Sequence, residues 1–122
     1  MAGPARSGRN AESLACRYLE ARGLALIERN YQRRPGEIDL IMADSDSLVF
    51  VEVRYRRRTG FGSGAESVDR RKQMKISACA QLYLQAHPEM AARPCRFDVI
   101  SISGEAGDPA IEWIQDAFGT LV

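Results

Sequence analysis

The stretch Gly36 to Tyr55, GEIDLIMADSDSLVFVEVRY, limits the available folds more than any other part of the chain. Two apolar, β-branched runs flank Asp44-Ser45-Asp46-Ser47, a cluster of turn formers, and this is the local signature of a β-hairpin. With Ser45 and Asp46 as the loop, Asp44 faces Ser47, Ile41 faces Phe50, Asp39 faces Glu52 and Glu37 faces Arg54. One face then carries Ile38, Leu40, Met42, Val49, Val51 and Val53, with no polar residue among them. The other face is apolar at Ile41, Ala43, Leu48 and Phe50, and polar only at the end holding Glu37, Asp39, Glu52 and Arg54. A hairpin apolar on both faces belongs in a sheet covered on both sides, as in α/β layers.

Directly opposed side chains have Cβ atoms about 4.5–5.5 Å apart, so Asp39 and Glu52 repel each other as carboxylates. A bound divalent cation removes that repulsion, which makes the pair the first candidate for a metal site. A polar patch at the rim of a buried sheet is also where binding sites tend to lie. The structural alternative is a pair of solvated strand ends, with a diagonal ion pair between Asp39 and Arg54.

The 122 residues suffice for one domain, 1–122, with a single core. No apolar run approaches the roughly 20 residues of a membrane span, and the first ten residues, MAGPARSGRN, lack the apolar core of a secretory signal. Cys16, Cys79 and Cys95 are an odd number without CxxC spacing, each in an apolar pattern. They read as small buried hydrophobes in a reducing compartment, so a cytoplasmic protein without membrane association is expected. Net charge is only +1, but its distribution is uneven. From Arg54 to Lys75 there are eight basic residues (Arg54, Arg56, Arg57, Arg58, Arg70, Arg71, Lys72, Lys75) against Glu66 and Asp69. The segment therefore carries +6 and the remainder −5, which suggests one basic face for a polyanion.

Read in order, residues 1–9 form a loose arm, and a helix starts near Asn10 and runs to Arg22, with Gly23 as its terminator. Ala11, Leu14, Ala15, Tyr18 and Leu19 make its buried stripe. Glu12 lies in the first turn, either as a surface acid favoured by the helix dipole or as a third carboxylate reaching the hairpin's acidic end. Leu24 to Tyr31 is a first strand, followed by the hairpin. Residues 56–66, RRRTGFGSGAE, read as a flexible basic loop, either merely solvated or a phosphate-contacting flap. Ser67 or Asp69 caps a second helix that runs to about His87. Its first turns crowd Arg70, Arg71, Lys72, Gln73 and Lys75 against the positive end of the dipole, which points to phosphate binding. His87 reads as a C-terminal cap. Cys95 to Ser103 is another strand and Ala110 to Ile114 a short last one. Phe118 and Leu121 are expected to fold back as a lid, and Asp98 to pair with Arg96 or another surface arginine.

The element order is thus α-β-β-β-α-β-β. The chain resembles the YraN-like family of uncharacterised bacterial proteins across nearly its whole length. The resemblance rests on Gly8 with Glu12 and Ala15, Arg29-Asn30-Tyr31, Gly36 to Ile41, Phe50 to Arg56, Lys72-Gln73, Arg96 to Val99, and Trp113-Ile114 through Ala117-Phe118. That family is similar in pattern to the PD-(D/E)xK nuclease superfamily and to archaeal Holliday junction resolvases. The resemblance implies an α/β fold with a restriction-endonuclease-like core, a mixed central sheet flanked by helices. It implies Asp39 and Glu52 as the motif carboxylates and metal ligands, Arg54 in the motif's lysine position, and Glu12 as the helical acid. These four form the expected catalytic set, with Mg²⁺ or Mn²⁺ as cofactor. Arg56, Arg57, Arg58, Arg70, Arg71, Lys72, Gln73 and Lys75 are the expected nucleic-acid contacts.

Two departures from the superfamily pattern stand out. Ile38 occupies the motif's proline position, and arginine at 54 cannot give up its proton as a lysine can. The expected function is therefore a metal-dependent endonuclease or nucleic-acid-binding protein acting on branched or structured DNA, and a resolvase would act as a homodimer. One alternative is a non-catalytic nucleic-acid-binding module with a degenerate site. Another is a structural adaptor that docks a protein partner through Trp113, Phe118 and Leu121.

Overall fold

The computed structural model describes residues 4–56, 68–104 and 108–119, and for residues 4–9 the backbone alone. The elements are helix α1 (Pro4–Glu20), strands β1 (Ala25–Arg33), β2 (Gly36–Asp44) and β3 (Ser47–Arg56), helix α2 (Arg70–Ala86), a 3₁₀ turn (Pro88–Met90), and strands β4 (Cys95–Ser103) and β5 (Ala110–Phe118). The strands form one five-stranded sheet in the order β1-β2-β3-β4-β5. Every neighbouring pair is antiparallel except β3 and β4, which run parallel. Parallel neighbours need a crossover, and α2 supplies it.

The two helices cover opposite faces of the sheet. Ala11, Ala15, Cys16 and Leu19 of α1 pack with Leu40, Met42, Val49, Val51, Ile100 and Ile102. Ile76, Cys79, Ala80 and Tyr83 of α2 pack with Tyr31, Ile41, Leu48, Phe50, Phe97 and Val99. Rings of Tyr31 and Phe50 meet Tyr83 edge-on, at centroid distances of 5.3 and 6.1 Å. The hairpin is thus buried on both faces, as its composition requires.

Local chemistry fixes the element ends. Gly23, at φ +99°, closes α1: its amide and that of Leu24 donate to the Glu20 and Leu19 carbonyls, the paired bonds of a glycine-terminated helix. At the other end the helix begins at Pro4 instead of at Asn10, so the loose arm expected over residues 1–9 is helical from Pro4 onward. Proline is favoured in the first helical position, where its missing N–H costs nothing. Asp69 caps α2, its carboxylate accepting from the Lys72 amide at 2.8 Å. His87 ends that helix as its C-cap, with Nδ1 2.9 Å from the Tyr83 carbonyl and its ring stacked on Tyr83.

Several expectations need correction. Strand β5 extends to Phe118, which faces Phe97 across the sheet and stacks on it, so Phe118 is a strand residue and not part of a lid. Cys95 is exposed, whereas Cys16 and Cys79 are buried. The expected loop 56–66 (from residue 57), with Arg57, Arg58 and Phe61, lies outside the described residues, as does Leu121. Among the described residues no helix is long and apolar enough to cross a membrane.

Candidate functional site

The β2–β3 ladder has the register read from the sequence, Asp44 with Ser47 through Leu40 with Val51, and there it stops. Asp39 and Glu52 come next. Instead of a backbone bond between the strands, the Asp39 side chain fills the gap: Oδ2 accepts from the Val53 amide at 2.8 Å. On the other side of β2 a second irregularity matches it. In β1, Arg29 pairs with Leu40 and Tyr31 with Ile38, so Asn30 lies opposite Asp39, and Asn30 has a left-handed backbone at φ +54°.

The two irregularities flank a change of parity in β2. Ile38 packs in the α2-side core and Leu40 in the α1-side core, although strict alternation would put them on one face. The expectation that Ile38, Leu40 and Met42 share a face is therefore wrong. Its physical reason is the left-handed Asn30 and the side-chain bond that replaces the ladder at Asp39. The result is a notch between strands at the sheet's end, open to side chains from both helical layers.

Four carboxylates meet in this notch. Donor oxygens of Glu12 from α1 and of Glu37 and Asp39 from β2 lie within 4.8 Å of one another. Glu52 from β3, buried at 4% exposure, shares a hydrogen bond with Asp39. Two carboxylates can share a bond only through a proton. Burial first, and the Glu52 and Glu12 charges after it, push the Asp39 carboxyl up to about 9 despite the opposing Val53 amide. The Glu12 carboxyl is also raised, chiefly by desolvation and next by Glu37, against hydrogen bonds from Asn30 and Asp39 and the charge of Arg29.

Cations frame the acids. Arg54 Nη1 lies 3.5 Å and Lys72 Nζ 3.4 Å from Glu52 Oε2, so β3 and α2 each bring one cation to that carboxylate. Arg29 Nη2 is 3.8 Å from Glu12 Oε1 and donates to Ser13 Oγ at 3.2 Å. Gln32 Nε2 donates to Glu37 Oε2 at 2.9 Å. The diagonal Asp39–Arg54 ion pair offered as the structural alternative is replaced by the Arg54–Glu52 pair.

Expected catalytic residues Glu12, Asp39, Glu52 and Arg54 are thus brought together, and Lys72 joins them. Lys75 lines a groove beside the notch. Gln73 turns away: its Nε2 donates to the Val68 carbonyl at 2.8 Å and secures the entry to α2. Arg70 and Arg71 are exposed on the first turn of α2, and Arg56 closes β3, half-buried. Asp98 takes no part in the notch. Fully buried, it accepts from Arg96 Nε at 3.1 and 3.2 Å, from Trp113 Nε1 at 2.9 Å and from the Asp116 amide at 2.9 Å. Arg96 also binds Asp44 at 3.0 Å, so this cluster fastens β5 and the hairpin turn to β4.

Residues 11–102, which include all four carboxylates, match the model of an uncharacterised protein family, UPF0102. The chain belongs to this family. UPF0102 proteins of Stutzerimonas stutzeri and Pseudomonas savastanoi are 54% and 52% identical to it, over 92% and 93% of this chain and 93% of each relative. A UPF0102 protein of Nitrosococcus oceani is 54% identical over 91% of this chain and 90% of its own.

Sequence reasoning overlooked two residues of this UPF0102 site. Strand pairing puts Glu37 in the charged end opposite Arg54, which gives no sign that it joins the other carboxylates. Asn30 was part of a matching segment without a role. Its signal was present, since asparagine is depleted in strand interiors and is enriched where the backbone turns left-handed.

Proposed function

We propose that this UPF0102 protein is a metal-dependent phosphodiesterase acting on nucleic acid, with a restriction-endonuclease-like core of the PD-(D/E)xK type. The observation that carries the reading is the convergence of Glu12, Glu37 and Asp39 oxygens within 4.8 Å, with Glu52 bonded to Asp39. A protonated acid wedged among other acids is a poor structural device and a good ligand set. Hard carboxylate oxygens with no histidine or thiolate among them suit Mg²⁺ or Mn²⁺. Glu12, Glu37 and Asp39 would hold the ion, with Glu52 adjoining. When bound, such an ion polarises the phosphoryl oxygen and lowers the pKa of water.

The chain's own residues supply the rest. Asp39 would be a ligand to the ion, and the Val53 amide fixes its carboxylate in place. Glu52 holds Arg54 and Lys72 at one edge of the notch, where their charge can stabilise the negative charge that builds on a phosphoryl group. Nucleic acid recognised through its backbone, branched or structured DNA in this reading, is the substrate class favoured by the basic segment 54–75.

A second reading, a nucleic-acid-binding module without hydrolysis, is favoured by arginine at 54 in the place of a lysine. One experiment separates them. Mn²⁺ is titrated calorimetrically into the wild type and the Asp39→Asn/Glu52→Gln variant, and both are then incubated with four-way junction DNA and Mn²⁺. Binding and cleavage by the wild type alone support the enzyme. Equal heats for both proteins sink the metal site, and junction binding without cleavage favours the second reading.

A further inference from the structure

A groove of about 430 Å³ opens beside the carboxylate notch, between the β1–β2 turn and the start of α2. Its lining includes Gln32, Arg33, Glu37, Lys72 and Lys75. Two of these residues also belong to the notch: Glu37 is one of the three clustered carboxylates, and Lys72 pairs with Glu52. Groove and notch are therefore continuous. Between them the charge changes sign, from acids at the notch to Arg33, Lys72 and Lys75 along the groove.

We infer that this groove seats the phosphodiester backbone of one nucleic-acid strand and leads it across the carboxylates, with Arg33 and Lys75 as phosphate contacts outside the notch. The inference rests on the function proposed above. Three features support it. Arg33 is preorganised: its guanidinium lies 4.0 Å from the centroid of the buried Tyr31 ring, and Nη1 donates to the Gln32 carbonyl at 2.6 Å. Little rotamer freedom is then left to lose on binding. Lys75 is held at the groove by backbone packing, because Gly36 lets the turn approach so closely that an added Cβ would sit 3.2 Å from Lys75 Cβ. Among the described residues no carboxylate lies within ion-pair distance of either Arg33 or Lys75.

Arg70 and Arg71, also exposed on the same helix, do not line the groove and are peripheral to this path.

The test is fluorescence anisotropy with labelled oligothymidylate, titrated over a range of salt with wild type, Arg33→Gln/Lys75→Gln and Arg17→Gln/Arg22→Gln. The last variant removes the same charge from the exposed C-terminal end of α1 and the turn that follows it. Melting curves establish that all three are folded, and Arg33→Lys/Lys75→Arg keeps the charge should the first variant melt early. The groove variant is expected to bind about tenfold more weakly, with the slope of log affinity against log salt reduced by about 1.4, since each lost contact to a single strand accounts for about 0.7. The α1 variant and the charge-keeping variant should stay within about twofold of wild type, by the same counting of phosphate contacts. Equal losses in the groove and α1 variants, or no change of slope in the groove variant, would overturn the assignment while leaving nucleic-acid binding intact. Failure of the wild type to bind oligothymidylate would overturn the single-strand groove and leave the proposed function to its own test with four-way junction DNA.

Discussion

Replacing Asp39 with asparagine should make the metal-free protein more stable at neutral pH, which is the reverse of the usual result for removing a hydrogen-bonded, half-buried side chain. Asparagine keeps the shape and can still accept from the Val53 amide, while its NH₂ group can donate to Glu52 where Asp39 now needs a proton. The sign follows from linkage. Asp39 titrates near 3.8 in the unfolded chain and at about 9 in the folded one, so between these values the folded state holds a proton that the unfolded chain has released. Its contribution is fully present below 3.8 and is lost as pH rises toward 9. At about 1.4 kcal/mol per unit, the loss between 3.8 and pH 7 is at most roughly 4 kcal/mol.

Partial solvation and relaxation of the pair reduce this ceiling, and a net gain of about 1–2 kcal/mol for Asp39→Asn at pH 7 is expected, or roughly 4–8 °C in melting temperature for a domain of this size. The assay is thermal and urea unfolding in chelator at several pH values from 4 to 9. Wild-type stability should fall across this window more steeply than that of the variant, and the two curves should meet near pH 4. Saturating Mn²⁺ should reverse the order, adding about 2.7 kcal/mol to the wild type at a hundred times its dissociation constant. A variant less stable than wild type at pH 7 in chelator, with an unchanged pH slope, would refute the picture of a proton trapped among carboxylates.

Other substitutions probe the frame around the site. Asn30→Gly keeps the left-handed backbone and should change stability by less than about 0.5 kcal/mol, whereas Asn30→Val should cost about 1–2 kcal/mol in urea unfolding because a β-branched residue resists positive φ. Both should weaken Mn²⁺ binding through loss of the Asn30–Glu12 bond, as read by calorimetry. Asp98→Ala should destabilise by about 2–4 kcal/mol, because it leaves the Trp113 N–H and the Asp116 amide without their acceptor and Arg96 with Asp44 as its remaining acid. Its effect on Mn²⁺ affinity, measured at a temperature where the variant is folded, should be negligible. Gly36→Ala should cost about 1 kcal/mol in urea unfolding by pushing the β1–β2 turn away from Lys75.

The adaptor alternative fares poorly against the same contacts. Trp113 spends its indole N–H on Asp98 and Phe118 stacks on Phe97, so two of the three residues offered as a docking surface serve the domain's own core.

Much of this was written in local sequence. The two-residue loop at Ser45-Asp46 set the hairpin register from Leu40–Val51 to Asp44–Ser47. Two apolar faces demanded two covering layers, and the glycine at 23 and the aspartate at 69 marked helix ends through bonds that span only a few residues. These features depend on neighbours in the chain, so a single sequence can express them. What joins Asp39 to Glu12, Glu37, Asn30 and Lys72 is different in kind. Strand pairing by parity would have kept Ile38 with Leu40 and Glu37 opposite Arg54, whereas the left-handed Asn30 and the Asp39–Val53 bond accompany a break of that parity in β2, while β3 keeps its alternation. Such a break lowers free energy only if α1 and α2 stand on opposite faces to fill the notch from both sides. The residue types for the site were therefore legible in the chain, and their arrangement was decided by the packing of its layers.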